Sequence, residues 1–522
     1  MTNTKFMTTF RQIRLYPFLI AAYPAVALLS ANLGEARLVA LVRPLMASIG
    51  IAALLYAAIW RVLRDSDRAA ALATWLLLLF FSYGHFYDLL RNVRFDGLRP
   101  GRHLLLFPAW VLAGVISSFV ILRSHPSRTV SAAFTVFALA ALAQPALRII
   151  TYQARSAALY GEAAEAVIDE PGVVPPLSMD QTPDIYYIVL DGYARHDVMS
   201  DVFGFDNTPF IEDLRQMGFV IAPCGQSNYT KTQLSLASSL NFEYLETLHP
   251  LPDPDSADTT WLPPLIQASR LRRLLEAHGY QTIAFETGFP FTEIVDADLY
   301  LTPASSEKYR VRGLSAFEEM FLRSTAGVFA IEGLAALPWT STARLTGAER
   351  WKRNNVLFTL DALEELATLP GPKFVFAHVV APHGPFVFGP DGEPVHSPDE
   401  DTAPREDILR AYADQARFVS DRMVMVLRAI QSASSAPPVI VVQADHAPDF
   451  STPDDNVRIL NALLFPGAAR DVYPGLTPVN SFRLVLNQLG RNELPLLDDI
   501  SYYSRGGEPF DFTVIPPSCE ES

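Results

Sequence analysis

Only two cysteines occur in 522 residues, Cys224 and Cys519. They allow one disulfide on the oxidising side of a membrane or two unrelated thiols, so cysteine usage does not choose a compartment. No internal repeat and no low-complexity tract is visible, which sets aside solenoid and fibrous architectures. A basic surplus is also lacking: the net charge is −15. A nucleic-acid partner would want a basic face, and this balance argues against one. The first apolar run does not end in a small-residue cleavage site, and four more runs follow it. It therefore reads as a membrane span and not as a cleaved leader.

Hydrophobic residues make up half of the chain and are spread unevenly. Residues 1–155 carry Lys5 and fifteen Arg against five acids, a net +11, whereas the remainder carries 25 basic and 51 acidic residues, a net −26. A basic membrane part, suited to anionic head groups, thus precedes an acidic soluble part. Apolar runs near 15–32, 40–60, 69–88, 103–122 and 129–150 are each long enough to cross a bilayer, which needs about 20 residues. Counting basic residues on alternate connecting segments nearly ties, eight against seven, so the positive-inside rule decides little. The first span favours an inside N-terminus, and an odd number of spans then puts the soluble part outside.

The expected organisation is a transmembrane domain of five helices over 1–155, a linker over 156–182 and a soluble domain over 183–522. An Ala/Glu-rich stretch from Ser156 looks helical, and Glu170-Pro-Gly-Val-Val-Pro-Pro breaks it. Beyond 183, strand candidates at 184–190, 281–286, 373–379 and 438–443 alternate with helical stretches at 207–217, 233–246, 265–278, 350–368, 404–431 and 480–489. That alternation predicts an α/β fold with a mainly parallel sheet flanked by helices. Ligands of such sheets bind beyond the carboxyl ends of the strands. The segment Met320–Leu345 is unusually apolar for an excursion between strands. Two readings stay open for it: lying on the membrane surface, or packing on the soluble domain.

Chemistry-bearing residues gather at the predicted strand ends. Asp191 follows Ile-Tyr-Tyr-Ile-Val-Leu, and Asp445-His446 follows Val-Ile-Val-Val-Gln-Ala. Between them lies Asn228-Tyr-Thr-Lys231-Thr232-Gln-Leu-Ser235-Leu-Ala-Ser238-Ser239. Two carboxylates, a hydroxyl and an imidazole suit one divalent cation such as Zn²⁺ or Mn²⁺. Metal coordination is one way to activate a Thr hydroxyl near neutral pH. Thr232 competes with Thr230 for that role. If Thr232 opens a helix, the amides there would favour an anion, and Lys231 is a candidate to steer a phosphate. The segment His378-Val-Val-Ala-Pro-His383-Gly-Pro385 adds two imidazoles. His383, between prolines, is the candidate proton donor or substrate contact. The acidic stretch Asp391–Asp407 reads as a lid or as a surface loop.

In their order and joint presence these segments resemble the alkaline phosphatase/sulfatase superfamily over roughly 183–515. The resemblance implies that Asp191, Thr232, Asp445 and His446 share one metal and that Thr232 attacks the substrate. It also implies that His383 contacts the substrate; His378, Asn228 and Lys231 are further candidates for binding it. Five spans before such a domain are similar to lipoteichoic acid synthases and lipid A phosphoethanolamine transferases. That likeness implies a bacterial cytoplasmic membrane, a catalytic domain outside it, a phospholipid donor and a cell-envelope acceptor. A group of bacterial membrane sulfatase-like proteins is also similar, through Ser82-Tyr83-Gly84-His85, Ser227-Asn228-Tyr229 and Pro478-Val479-Asn480-Ser-Phe-Arg483. Ala447 departs from the usual Gly, and the Asp-x-x-x-His signature of a second metal is missing. Neither Cys224 nor Cys519 sits in the C/S-x-P-x-R setting that yields formylglycine, and Ser124-His-Pro-Ser-Arg128 lies between two spans. Expectation therefore centres on a phospho-alcohol transferase or phosphodiesterase. The alternatives are a membrane-bound ester hydrolase and a catalytically retired receptor.

Overall fold

The computed structural model describes residues 14–91, 93, 100–124, 128–169, 182–309, 314–329, 345–400, 402–467, 471–490 and 493–518. Contacts divide the chain into two compact units, Met1–Gln153 with Gly313–Gly347, and Ala154–Arg312 with Ala348–Ser522.

The first unit is helical. Its helices are α1 (Tyr16–Ala31), α2 (Val42–Leu63), α3 (Ser66–Arg91), α4 (His103–Arg123) and α5 (Arg128–Asp169), which runs on into the predicted linker. Four apolar helical stretches, at Leu38–Leu63, Ser66–Arg91, His103–Arg123 and Thr129–Gly161, are long enough to cross a membrane. The fifth predicted span, α1, has 16 residues and falls short of that length. At one end of the block Arg14 grips the Asp67 carboxylate through Nε (2.8 Å) and Nη2 (2.9 Å). Ser131 Oγ donates to the same carboxylate. One half-buried acid thereby ties together the starts of three helices, and its charge is matched by a bidentate guanidinium.

The opposite end receives the apolar excursion. Its helix Ala316–Arg323 opens with a capping box, Ser315 and Glu318 bonding each other's backbone amides. Phe317 packs with Leu29 and Ile149, and Phe321 with Ala25, Ala52 and Phe81. Arg43 Nε lies 3.0 Å from Glu318 Oε1. The chain then runs along α3, where the Ala326 amide donates to the Phe80 carbonyl at 2.8 Å. Gly84 makes this approach possible: a Cβ there would stand 2.2 Å from the Arg323 carbonyl oxygen. The described part of the excursion therefore packs among helix ends of the first unit. The part of Met320–Leu345 from 330 to 344 lies outside the described residues.

The second unit holds a seven-stranded sheet in the order β2-β7-β6-β1-β5-β3-β4. The strands are β1 (Ile185–Leu190), β2 (Val220–Ile221), β3 (Gln281–Phe285), β4 (Leu299–Leu301), β5 (Lys373–Val379), β6 (Val439–Gln443) and β7 (Asn461–Leu464). The pairs among β6, β1, β5, β3 and β4 are parallel; β7 and β2 add antiparallel pairs at one edge. Every residue of β1 is buried, as a central parallel strand requires. Side chains alternate between its faces. Tyr186, Ile188 and Leu190 join one core with Tyr412, Val419 and Leu427. Ile185, Tyr187 and Val189 join the other with Leu236, Leu240 and Phe482. The four predicted strands, β1, β3, β5 and β6, are interior, as is the four-residue β7, which the sequence reading does not mark. The short edge strands and the hairpin of β8 (Ser501–Arg505) with β9 (Glu508–Ile515) lack the apolar runs that mark them in sequence. The predicted helix 265–278 divides into Leu262–Gln267 and Arg270–Ala277, because Ser269 leaves the helix and caps the second piece through the Arg272 amide.

Four helices frame the site: α6 (Thr232–Asn241), α7 (Gly347–Leu366), α8 (Arg405–Ala433) and α9 (Pro478–Leu489). A stability test follows from the excursion. Gly84→Leu should displace the Arg323–Ser324 backbone and cost about 1–3 kcal/mol, the usual range for overpacking. Gly50→Leu, where nothing lies within 4 Å, should be neutral. Thermal unfolding in detergent and protease cleavage within 314–329 would check both.

Candidate active site

The parallel order sets the site. β1 lies between β5 and β6, so the residues just past these three strands converge. Gly192 turns the chain away with φ +75°, a left-handed conformation that glycine adopts freely. The Gly192 amide donates to Asp445 Oδ1 at 3.1 Å, and the His446 amide donates to the same oxygen at 3.0 Å. The His383 amide donates to the Asp191 carbonyl at 2.9 Å. Backbone bonds thus lock the ends of all three strands together.

Ligand atoms of Asp191, Asp445 and His446 lie within 4.8 Å of one another, and all three residues are 2% exposed. Asp191 Oδ1 and Asp445 Oδ2 are buried without a hydrogen-bond partner. Two unsatisfied carboxylate oxygens beside an imidazole would be costly by themselves. The donor set, O, O and N, fits a divalent cation of the Zn²⁺ or Mn²⁺ kind. His446 Nδ1 lies 2.7 Å from the Ala447 carbonyl, the arrangement that leaves Nε2 as the free lone pair. Nε2 lies 3.8 Å from Asp191 Oδ1 and 3.5 Å from Asp445 Oδ2. Ala447 stands where glycine is usual, yet it serves through its carbonyl, which Asn456 Nδ2 also binds. The position has no left-handed backbone, so alanine fits.

Electrostatics reinforce the geometry. Burial alone would raise the Asp191 carboxyl, but His383, His378 and His446 outweigh it and hold it well below the usual carboxylate range. Burial would lower the His446 imidazole, whereas Asp445, Asp449 and Asp191 outweigh it and raise it.

Thr232 is the first residue of α6, and its Oγ1 lies 3.2 Å from His446 Nε2. The competing Thr230 is fully buried and its Oγ1 accepts the Ser504 amide, so it is spoken for. Lys231 Nζ pairs with Asp449 Oδ2 at 2.9 Å. His383 is half-buried, with its ring centroid 6.3 Å from that of His446. Two residues expected at the substrate stand elsewhere. His378 is 1% exposed within β5, its Nε2 3.1 Å from Asp191 Oδ2 and its Nδ1 3.3 Å from Thr292 Oγ1. It orients the carboxylate from behind. Asn228 is fully buried. Its Nδ2 donates to Tyr244, Thr477 and the Ile500 carbonyl, and its Oδ1 accepts from the Val479 amide. It is a brace between the loop before α6 and the start of α9.

Sequence reading missed the group that holds His383. Lys352 on α7 is buried, and its Nζ donates to the His383 and Gly384 carbonyls at 2.5 and 2.6 Å. Gln415 on α8 donates to the Pro382 and His383 carbonyls, both at 2.9 Å. A lysine inside an amphipathic helix reads as solvated, so only the fold reveals it. Asp449, which faces both His446 and Lys231, was likewise unmarked. The acidic stretch after His383 is pinned and does not hang free as a lid: Glu349 binds His396 and the Ser397 amide, and Arg353 binds the Gly392 carbonyl. Cys224 is disulfide-bonded; Cys519 lies outside the described residues.

Two predictions arise here. Metal-stripped protein should gain thermal stability with Zn²⁺ or Mn²⁺, by about 2.7 kcal/mol at 100 times the dissociation constant. Asp445→Asn should abolish that gain, as read by melting and metal stoichiometry. Burial pushes the Lys352 amine down to about 7, against the pull of Asp191 and Glu400. Its folded value lies below its unfolded value, so the unfolded chain holds more protons between them. Stability should therefore rise from pH 7 towards pH 10, by up to about 1.4 kcal/mol per pH unit from this group. Lys352→Met should lack that component in denaturation measured across the range.

A family model described as Sulfatase matches residues 183–481. No curated protein matches the chain. Among solved structures, a protein in the alkaline phosphatase superfamily from Vibrio parahaemolyticus is similar at 13% identity and a TM-score of 0.40, over 69% of this chain and 86% of that one. The C-terminal periplasmic domain of EcEptC from Escherichia coli is similar at 11% identity and 0.39, over 64% and 94%. The lipoteichoic acid synthase LtaP from Listeria monocytogenes is similar at 13% and 0.37, over 65% and 83%. With more than half of its length matched by the family model, the chain belongs to the Sulfatase family.

Proposed function

We propose that this chain is a metal-dependent phospho-alcohol transferase or phosphodiesterase with Thr232 as nucleophile, acting on phospholipid head groups outside the cytoplasmic membrane. One observation carries the reading: a hydroxyl at a helix start, 3.2 Å from the imidazole of a buried Asp–Asp–His cluster. Asp191, Asp445 and His446, joined by Thr232, are the residues that would hold the cation. When bound, the cation supplies a lowered pKa for the hydroxyl and a counter-charge for a phosphate oxygen.

The remaining chemistry belongs to the chain. Thr232 Oγ1 forms a bond to phosphorus, its proton passes to solvent, and the bond from phosphorus to the lipid alcohol breaks. Amides at the start of α6 and Lys231 face the anion. His383, in its protonated form, gives the departing alkoxide its proton. The resulting phosphothreonine is resolved by an acceptor hydroxyl or by water, whose proton returns to His383. Threonine at this position, in place of Cys or Ser, leaves no residue there to become formylglycine. Ser235, one turn along α6, is buried.

The test is intact-mass measurement after incubation with mixed phospholipids, alongside product analysis with and without an acceptor. An adduct that disappears in Thr232→Ala would support the covalent step, and its mass names the head group. Turnover should fall at least about 10³-fold in Thr232→Ala and about 10²–10⁴-fold in His383→Ala. Products formed equally without an acceptor would mark the chain as a hydrolase. Metal binding with no turnover of any ester would sink the catalytic reading.

A further inference from the structure

Between α3 and α4 runs an apolar groove of about 500 Å³. It is lined from Tyr83 and Phe107 at one end to Leu76 and Leu122 at the other. We infer that this groove seats one acyl chain of a bilayer phospholipid, with the head group at the Tyr83 end. The inference rests on the proposed function only for the identity of that head group.

Four observations support a lipid chain as occupant. First, the groove walls are almost wholly apolar and belong to two helices long enough to span a membrane. Second, the sixteen residues from Phe107 to Leu122 extend about 22 Å at helical rise. That exceeds a leaflet of about 15 Å. Third, aromatic groups crowd one end, as they do at the head-group level of membranes. Tyr83 hydroxyl bonds His103 Nδ1 at 2.8 Å, Tyr87 stacks on His103 at 4.0 Å, and Phe329 of the excursion stands 4.6 Å from the same ring. Ala326, also of the excursion, closes the groove wall at that end. Fourth, that end carries a surplus of positive charge. Arg102 is exposed immediately before α4, and Arg91 ends α3 with one acid, Asp88, 3.7 Å from its Nε. An anionic phosphate complements them.

Gly114 gives the groove its depth. A Cβ there would meet Leu79 Cδ1 at 3.0 Å. Val111 borders the groove and is 45% exposed, so a larger side chain there fills space without entering the helix packing.

The experiment uses the full chain in vesicles of phosphatidylethanolamine and phosphatidylglycerol with a trace of diazirine-acyl phosphatidylethanolamine. After photolysis, label should concentrate on peptides covering 76–83 and 107–122. It should fall about tenfold, the equivalent of about 1.4 kcal/mol, in both Gly114→Phe and Val111→Trp. Gly50→Phe, on an open face of α2, should leave it unchanged. Label spread evenly over the lipid-facing helices, or undiminished in Val111→Trp, would overturn the inference. So would crosslinks joining α4 of two copies, which would make the groove a helix interface. Labelling needs no turnover and should persist in Thr232→Ala, so failure of the catalytic reading and failure of the groove are separate results.

Discussion

Two carboxylates buried side by side at the ends of neighbouring parallel strands set the terms for the rest of this site. Asp191 and Asp445 are each 2% exposed, and each leaves an oxygen without a partner. Such a pair persists only if positive charge and donors surround it. The chain supplies them from three directions: His378 from inside β5, His446 from the end of β6 and two backbone amides on Asp445 Oδ1. The oxygens that remain converge on one point. A divalent cation there would complete the compensation, and the electrostatic demand that destabilises an empty site would favour its binding.

The proposed nucleophile depends on that demand as well. Thr232 meets the cluster only because α6 starts where it does, and the start is fixed by neutral hydrogen bonds away from the charge. Asn228 ties the preceding loop to the Val479 amide and to Thr477, at the head of α9. Arg483, one turn along α9, binds the Phe242 carbonyl just past the end of α6 and pairs with Glu243. The segments around Asn228 and Pro478–Arg483, some 250 residues apart, are thus two halves of one clamp on α6. Their chemistry is mechanical. The same holds on the other side, where Lys352 and Gln415 grip the carbonyls around His383.

Much of this was legible in the sequence, and the exceptions share a cause. Asp191, Asp445 and His446 could be read because a charged group ending a buried apolar strand is a local anomaly. Thr232 could be read from the apolar helical run that follows it. His378 and Asn228 were misplaced because residue type says what a side chain can bond, whereas its role depends on which way the strand or loop turns it. His378 lies inside β5, and its ring is spent on Asp191 before any substrate arrives. Lys352 was invisible for the opposite reason: its partners are backbone carbonyls, which every residue offers and no sequence distinguishes. Strands β2, β4 and β7 escaped because two to four residues cannot display a period.

The excursion binds the helices of the first unit together at one end. Its described residues touch Leu29 late in α1, Arg43 early in α2, Gly84 late in α3, His103 early in α4 and Ile149 in the second half of α5. In an up-and-down block these positions share one face. The Leu314 carbonyl lies 2.7 Å from where a Gly347 Cβ would be, so the excursion leaves and returns at one place.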